Sequence, residues 1–234
     1  MNKLLKILII ILACVSLTAC GDNTNNEKSN EKDNNNNNSN QTEVENENSN
    51  SNAEQTLTEK DKMILEIVSL MDEKLAFDVG NYIAGDIPKG EYAFVKFENS
   101  GSYYSEKDIA GNIIDNENFD SFGYVKVHAI GNLETQGILI NVNALNKLNV
   151  SGAKELYEIL NDKTDYNQGG MYKIGVDIPA GNYILESIGS GYVAVLSGPI
   201  SDYEIIDNEN FNGKYSISVK NGQFLQISRA IIQK

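Results

Sequence analysis

The position of one of the two cysteines is the most specific chemical signal in the chain. Cys20 directly follows the small pair Thr18-Ala19, at the end of a lysine-led apolar run. An apolar run of roughly a dozen residues is shorter than the about 20 that a transmembrane helix needs, and it suits the core of a signal peptide. We therefore predict that the N-terminal segment up to Ala19 is a signal peptide.

The tetrapeptide Leu17-Thr18-Ala19-Cys20 resembles the lipobox of bacterial lipoproteins. That resemblance implies a diacylglyceryl group on the Cys20 thiol. It also implies removal of residues 1–19 by cleavage between Ala19 and Cys20, so that Cys20 would become the first residue of the mature chain. Two acyl chains hold a protein stably to a bilayer, whereas one chain is marginal. The expected location is the extracytoplasmic face of the cell membrane, with the lipid bilayer as partner. An ordinary cleaved signal peptide is the alternative, and Cys14 would be removed in either case.

Composition narrows the classes of function. The formal net charge is −14, and Arg229 is the only arginine. Nucleic-acid binding relies on basic patches and on arginine, so we expect no nucleic-acid partner. With Cys20 acylated, the exported chain has no cysteine for a disulfide, and folding must depend on a hydrophobic core. We expect no cofactor.

Residues 20–56 and 57–78 differ sharply in composition. The first segment is rich in Asn, Ser and Glu and is too poor in large apolar residues to fold, so we predict a disordered tether. As a coil it would span on the order of 35 Å. Thr58 and Asp61 then form a capping-box pattern, and apolar residues at helical spacing predict a helix over 57–78.

An internal repeat follows the predicted helix. Tyr82–Tyr92 matches Tyr172–Tyr183, and the heptapeptide Ile113–Phe119 recurs unchanged as Ile205–Phe211. Both pairs lie about 91 residues apart and in the same order, which indicates a duplicated domain. We call residues 79–149 repeat 1 and residues 167–234 repeat 2.

Each repeat is predicted to be mainly β, forming a small sandwich or barrel of five or six short strands. Pro-x-Gly predicts a turn in both copies, with Gly90 and Gly181 in the left-handed conformation. Asn221-Gly222 predicts a two-residue hairpin turn. Residues 150–166 are predicted to contain a connecting helix capped by Ser151.

The repeated pattern resembles a family of small β domains in exported proteins of Gram-positive bacteria. The residues that carry the resemblance are the Tyr-x-x-Gly-x-Asp-Ile-x-x-Gly-x-Tyr motif, completed by Tyr183, and the Ile-Ile-x-Asn segment at Ile205. Repeat 2 fits throughout, whereas repeat 1 lacks the residue between Gly85 and Asp86. The resemblance implies a β fold and a surface location, with no assigned activity and no catalytic residues.

Candidate metal and catalytic residues are few. His128 is the only histidine and lies in an alternating apolar pattern, which favours a strand residue over a catalytic or zinc site. The repeated Asp-Asn-Glu-Asn is interpreted as a structural turn, with a weak calcium site as the alternative, because Val219 replaces the bidentate glutamate of a calcium loop. Gly189-Ser190-Gly191 is too short to cradle a phosphate. We predict no catalytic residue and no metal site.

Tyr103, Tyr104 and Tyr192 follow Gly/Ser turns and could offer rings for stacking on a sugar, and of these Tyr104 and Tyr192 are the candidate ligand residues. Packing in the core or across strands is the alternative role for these tyrosines. Three hypotheses follow. The first is a non-catalytic, surface-displayed lipoprotein that binds an envelope or extracellular ligand through its two β modules. The second is a cell-envelope hydrolase that acts on wall or glycan through carboxylates. In the third, the modules are spacers or assembly units.

Overall fold

The structure, a computed structural model, describes residues 56–233, which fold mainly into β-strands. The predicted signal peptide, Cys20 and nearly all of the predicted tether lie outside these residues. The helices are α1 Glu59–Asp72 and α2 Ala153–Leu160, with a 3-10 helix at Val142–Leu148. The strands are β1 Ala76–Phe77, β2 Gly80–Tyr82, β3 Gly90–Val95, β4 Tyr103–Lys107, β5 Ile113–Asn118, β6 Phe122–Val127, β7 Leu133–Thr135, β8 Ile138–Asn141, β9 Gly170–Lys173, β10 Gly181–Leu196, β11 Ile205–Val219 and β12 Phe224–Ile232.

The predicted capping box at the start of α1 is confirmed. Asp61 N donates to Thr58 Oγ1 at 3.1 Å, and Thr58 N donates back to Asp61 Oδ2 at 3.1 Å. The apolar stripe of the helix is buried, and α1 packs against α2. The helix ends at Asp72, and Ala76–Phe77 form strand β1 instead of a last helical turn.

Repeat 1 forms two four-stranded antiparallel sheets. Sheet A has the order β1-β8-β3-β6, and sheet B has the order β2-β7-β4-β5. Aromatic side chains from both sheets are fully buried in one hydrophobic core, where the rings of Phe94 and Phe119 stack with centroids 4.6 Å apart.

Repeat 2 follows the same path with fewer, longer strands, in sheet C of order β11-β10-β12-β9. Strand β10 corresponds to β3 and β4 together, because Tyr183 pairs with Ile217 as Tyr92 pairs with Val125. The prediction of two homologous β units is therefore confirmed. The prediction of five or six short strands is wrong for repeat 2. A register shift in β10 between Glu186 and Ser190 lets the strand bend without ending.

The tyrosines of the repeated motif have an architectural role. Each hydroxyl donates to the backbone carbonyl four residues earlier, at 2.6 to 2.8 Å. The pairs are Tyr82 with Asp78, Tyr92 with Pro88, Tyr172 with Gln168 and Tyr183 with Pro179. The motif thus fixes the path of the chain into and out of each first turn.

The left-handed glycine of that turn is not the predicted one. Gly90 and Gly181 begin strands β3 and β10, whereas Gly85 and Gly175 have φ of 85° and 90°. A side chain at either of the latter positions would strain the backbone. A turn forms at Asn221-Gly222, where Gln223 N donates to Lys220 O at 3.1 Å and Gly222 has φ 86°. The predicted hairpin is wrong, because β11 and β12 each pair with β10 and not with one another.

The connecting helix α2 is present, but Ser151 does not cap it. The N-cap is Gly152, which has no side chain to bond the first turn. Asp177 of repeat 2 serves instead, because its Oδ1 accepts from Lys154 N at 3.0 Å. A carboxylate at this position is favourable for the helix dipole.

The two repeats meet at the open edge of β6. The 197–204 loop of repeat 2 lies along this edge, where Ile200 pairs with Val125 as an isolated parallel bridge. Ile200 N donates to Tyr124 O at 3.0 Å, and Lys126 N donates to Ile200 O at 2.7 Å. We call this contact the joint. Apolar residues of both repeats join a single hydrophobic core.

Candidate binding cleft

The register of sheet C places three polar side chains in one row. Tyr192 on β10 pairs with Asn210 on β11 and with Ser228 on β12. Cross-strand partners project from the same face of a sheet, so the tyrosine ring lies between an amide and a hydroxyl. This face points away from the core residues Val193 and Ile227, which alternate with the row.

A cleft of about 420 Å³ lies over this row, between the two repeats. Repeat 2 contributes Tyr192 and its neighbours on one side. Repeat 1 contributes Glu117, Asn118 and Asp120 from the end of β5 and the residues after it. A wider, acid-lined hollow of about 800 Å³ continues along the joint, and the two share Tyr203 and Ile205.

Glu117 is the carboxylate most affected by its surroundings in the cleft. Partial burial raises its pKa, and the nearby charges of Asp115 and Asp120 raise it further. Hydrogen bonds from the Gln226 side chain and the Asn118 backbone oppose the shift. Glu117 is therefore held by a residue of the other repeat, and its carboxylate lies at the wall of the cleft.

Arg229, the only arginine of the chain, lies at the rim of the cleft. Its backbone has φ 49°, in the left-handed region that non-glycine residues seldom adopt. Its Nε donates to the backbone carbonyl of Ser190 at 2.7 Å, across the bend in β10. The bend thereby fixes a positive charge opposite the acids of repeat 1, and no sequence pattern indicated this placement.

The two predicted ligand tyrosines lie in different environments. Tyr192 lines the cleft, but Tyr104 is 0% exposed and belongs to the core. Burial strongly raises the pKa of Tyr104. The register shows that the true counterpart of Tyr192 is Tyr103, which pairs with Asn118 as Tyr192 pairs with Asn210. The choice of Tyr104 over Tyr103 is therefore wrong, because adjacent residues of a strand project from opposite faces of the sheet.

His128 lies directly after strand β6, where it contacts a buried acid that the sequence did not point to. Its ring Nδ1 is 2.9 Å from Glu106 Oε2, and its backbone N donates to Glu106 Oε1 at 2.8 Å. Ala129 N donates to the same oxygen at 2.9 Å. Glu106 is fully buried and the His128 side chain is 30% exposed, so the acid accepts hydrogen bonds that close the end of the strand.

The repeated Asp-Asn-Glu-Asn is a strand in both copies, and its interpretation as a turn is wrong. It forms part of β5 in repeat 1 and of β11 in repeat 2, each at the edge of its sheet. Its alternate side chains project from opposite faces, so they do not converge on one ion. Within residues 56–233 no cluster of three or more His, Cys, Asp or Glu is placed to hold a metal.

The Gly189-Ser190-Gly191 segment lies in the bend of β10, where Ser190 accepts from Arg229. No helix in this described part of the chain is both long and apolar enough to cross a membrane. Comparison with protein-family models, with curated proteins and with solved structures found no match to this chain.

Proposed function

We propose that this chain is a membrane-anchored surface lipoprotein that binds an extended, hydroxyl-rich ligand of the glycan type in the cleft between its repeats. The observation that carries the proposal is the row of Asn210, Tyr192 and Ser228 facing Glu117 and Asp120. A sugar ring offers an apolar face for stacking on an aromatic side chain. Its hydroxyls need both donors and acceptors, which amides, hydroxyls and carboxylates supply.

Binding is tested with soluble wall-glycan fragments and titration calorimetry. Tyr192→Ala should weaken binding about tenfold or more, because it removes the stacking surface, and about 1.4 kcal/mol corresponds to tenfold. Tyr192→Phe keeps the ring and should stay within about threefold. Tyr215→Ala, on the same sheet but outside the cleft, is the matched control. Equal affinity of Tyr192→Ala and the unaltered chain would refute the cleft as the binding site.

The proposed anchor has an independent test. Cys20→Ser should move the protein from the membrane fraction to the medium, because no acyl chain remains to hold it. Cys14→Ser, inside the apolar run, is the control and should leave the protein attached. Retention of the Cys20→Ser variant in membranes would refute acylation at this cysteine.

A second candidate, a carboxylate-dependent envelope hydrolase, is favoured by one observation. Glu117 has a raised pKa and shares the cleft with Asp120, and hydrolysis of a glycosidic bond needs a proton-donating acid beside a second carboxylate. Incubation with wall glycan should then release new reducing ends, and Glu117→Gln should abolish their release. If the unaltered chain binds glycan without cleaving it, the binding function stands alone.

A further inference from the structure

One end of repeat 1 exposes isoleucines at the tips of three neighbouring loops. Ile83 is 68% exposed, Ile109 is 94% exposed and Ile130 is 54% exposed. The loops lie together because Tyr82 and Glu106 both pair with Leu133. Apolar tips grouped at one end of a β unit indicate an interaction surface.

In repeat 2, the loop equivalent to the Ile109 loop packs against another strand. The loop after β10, residues 197–204, corresponds to the loop after β4, residues 108–112, since both join the Tyr strand to the repeated Ile-Ile strand. In repeat 2 this loop is docked, and its Ile200 is 1% exposed because it lies on the edge of β6. In repeat 1 the corresponding loop carries the exposed Ile109.

Repeat 2 has a strand edge equivalent to the edge of β6 that receives the 197–204 loop. The last part of β11 corresponds to β6, with Ser216, Ile217 and Ser218 in the places of Tyr124, Val125 and Lys126. Within the described residues β11 pairs only with β10, so this edge is open. An open edge strand presents unpaired N–H and C=O groups to another chain.

Charge is complementary between these two free surfaces. Asp108 begins the loop that carries Ile109, whereas Lys214 and Lys220 flank the open part of β11. The joint inside the chain has the same polarity, with Lys126 of β6 lying 3.9 Å from Asp202 of the docked loop. A loop tip on one copy therefore matches an open edge on another.

We propose that copies of this chain assemble head to tail, with the Ile109 loop of one copy on the β11 edge of the next, repeating the joint between its own repeats. The contact joins two different surfaces, so each copy leaves one of them free for the next copy, and growth continues past a dimer into a ring or an open filament. It is small, and interfaces below about 1,200 Å² are typical of weak, transient association. We expect it to act where copies are crowded at a surface.

The test uses the chain from residue 20 onward with Cys20→Ser, so that no acyl chain is attached and self-association is measured in aqueous buffer without detergent. Sedimentation equilibrium over a concentration series should show an average mass that grows beyond a dimer. Ile109→Ser should require at least about tenfold higher concentration for the same growth, since it removes the apolar tip. Ile188→Ser, at an exposed isoleucine in the bend of β10, is the matched control and should assemble normally.

The receiving edge is tested by Ser218→Pro, which removes the N–H that corresponds to the Lys126 donor. Proline is tolerated in an edge strand where the N–H faces solvent. Ser218→Glu leaves the backbone intact and repels Asp108, so it gives the answer if the proline variant is unstable. Both variants should require at least about tenfold higher protein concentration to reach the same average mass as the unaltered chain.

Mixing distinguishes this arrangement from others. Ile109→Ser retains the edge and Ser218→Pro retains the loop, so an equal mixture should form a one-to-one dimer that grows no further. Three outcomes would overturn the proposal. They are a monomer at every concentration, growth that the Ser218 variants leave unchanged, and a monomer that instead binds phosphatidylglycerol vesicles through Ile109.

Discussion

Tyr103 and Tyr104 are neighbours in the sequence, but only the strand register decides which of them faces solvent. Tyr104 packs in the core, while Tyr103 shares its row with Asn118, as Tyr192 does with Asn210. Repeat 1 thus retains the Tyr–Asn pair of the cleft at the equivalent position. A Gly/Ser turn before two tyrosines does not indicate which of the two side chains projects from the solvent-facing side of the sheet.

At the residue scale, Glu117→Gln should make the stability less dependent on pH. Burial raises the pKa of Glu117 above its value in the unfolded chain, so the folded state holds the proton more tightly. The resulting penalty is absent below the unfolded pKa and grows as pH rises through the folded pKa. Thermal melting should therefore show the variant more stable than the unaltered chain near pH 7, and equally stable near pH 3.

Asp120→Asn, in the same cleft, is the control for the loss of one negative charge. Because the charge of Asp120 raises the pKa of Glu117, this variant should lower that pKa while the Glu117 carboxyl stays in place. A Glu117→Gln advantage that is the same at both pH values would contradict the assigned shift.

At the element scale, the local sequence pattern of α1 predicts where the helix begins but not where it ends. The reciprocal hydrogen bonds of Thr58 and Asp61 were predictable because they depend on residues three apart. The end of the helix was not, because Ala76–Phe77 leave the helical pattern to pair with the distant strand β8. Likewise, Asp177 takes over the capping of α2 from far along the chain.

Thr58→Ala should lower the free energy of unfolding by about 1 kcal/mol, because it leaves the first-turn N–H of Asp61 without its partner. Thr58→Ser keeps the accepting oxygen, and because Ser is at least as good an N-cap as Thr, it should leave the free energy of unfolding nearly unchanged. Urea unfolding followed by circular dichroism measures both. A loss equal in the two variants would show that the methyl group, and not the cap, stabilises the helix.

At the scale of the whole molecule, the two repeats are expected to unfold together. The Tyr124 hydroxyl donates to Asp177 Oδ2 at 2.8 Å and accepts from Ala153 N at 2.9 Å, so it links repeat 1, α2 and repeat 2. Its ring also packs edge-on against Phe224 of repeat 2. Calorimetry should therefore give one cooperative transition for the described part of the chain.

Tyr124→Phe should keep that single transition but lower the free energy of unfolding by about 1 to 3 kcal/mol, because it leaves the buried Ala153 N–H without a partner. It also removes one of the hydrogen bonds to the Asp177 carboxylate, which still accepts from Lys154 N and Lys173 N. Tyr183→Phe removes a hydroxyl that bonds Pro179 at an exposed position, and it is the milder control. Two separate transitions in the unaltered chain would refute the shared core.

The sequence by itself determined the duplication, the β class, the first helix cap and the turn at Asn221-Gly222, because each of these depends on composition or on contacts a few residues apart. It did not determine which strands that turn joins, since β11 and β12 both pair with β10 and not with one another. It also contains a tetrapeptide that resembles a lipobox, and acylation there remains a prediction about residues outside the described part. The tertiary structure decided the cleft, the joint, the placement of Arg229 and the open edge of β11. These features bring together residues far apart in sequence, and the register and bend of each strand, set by core packing, choose which side chains meet.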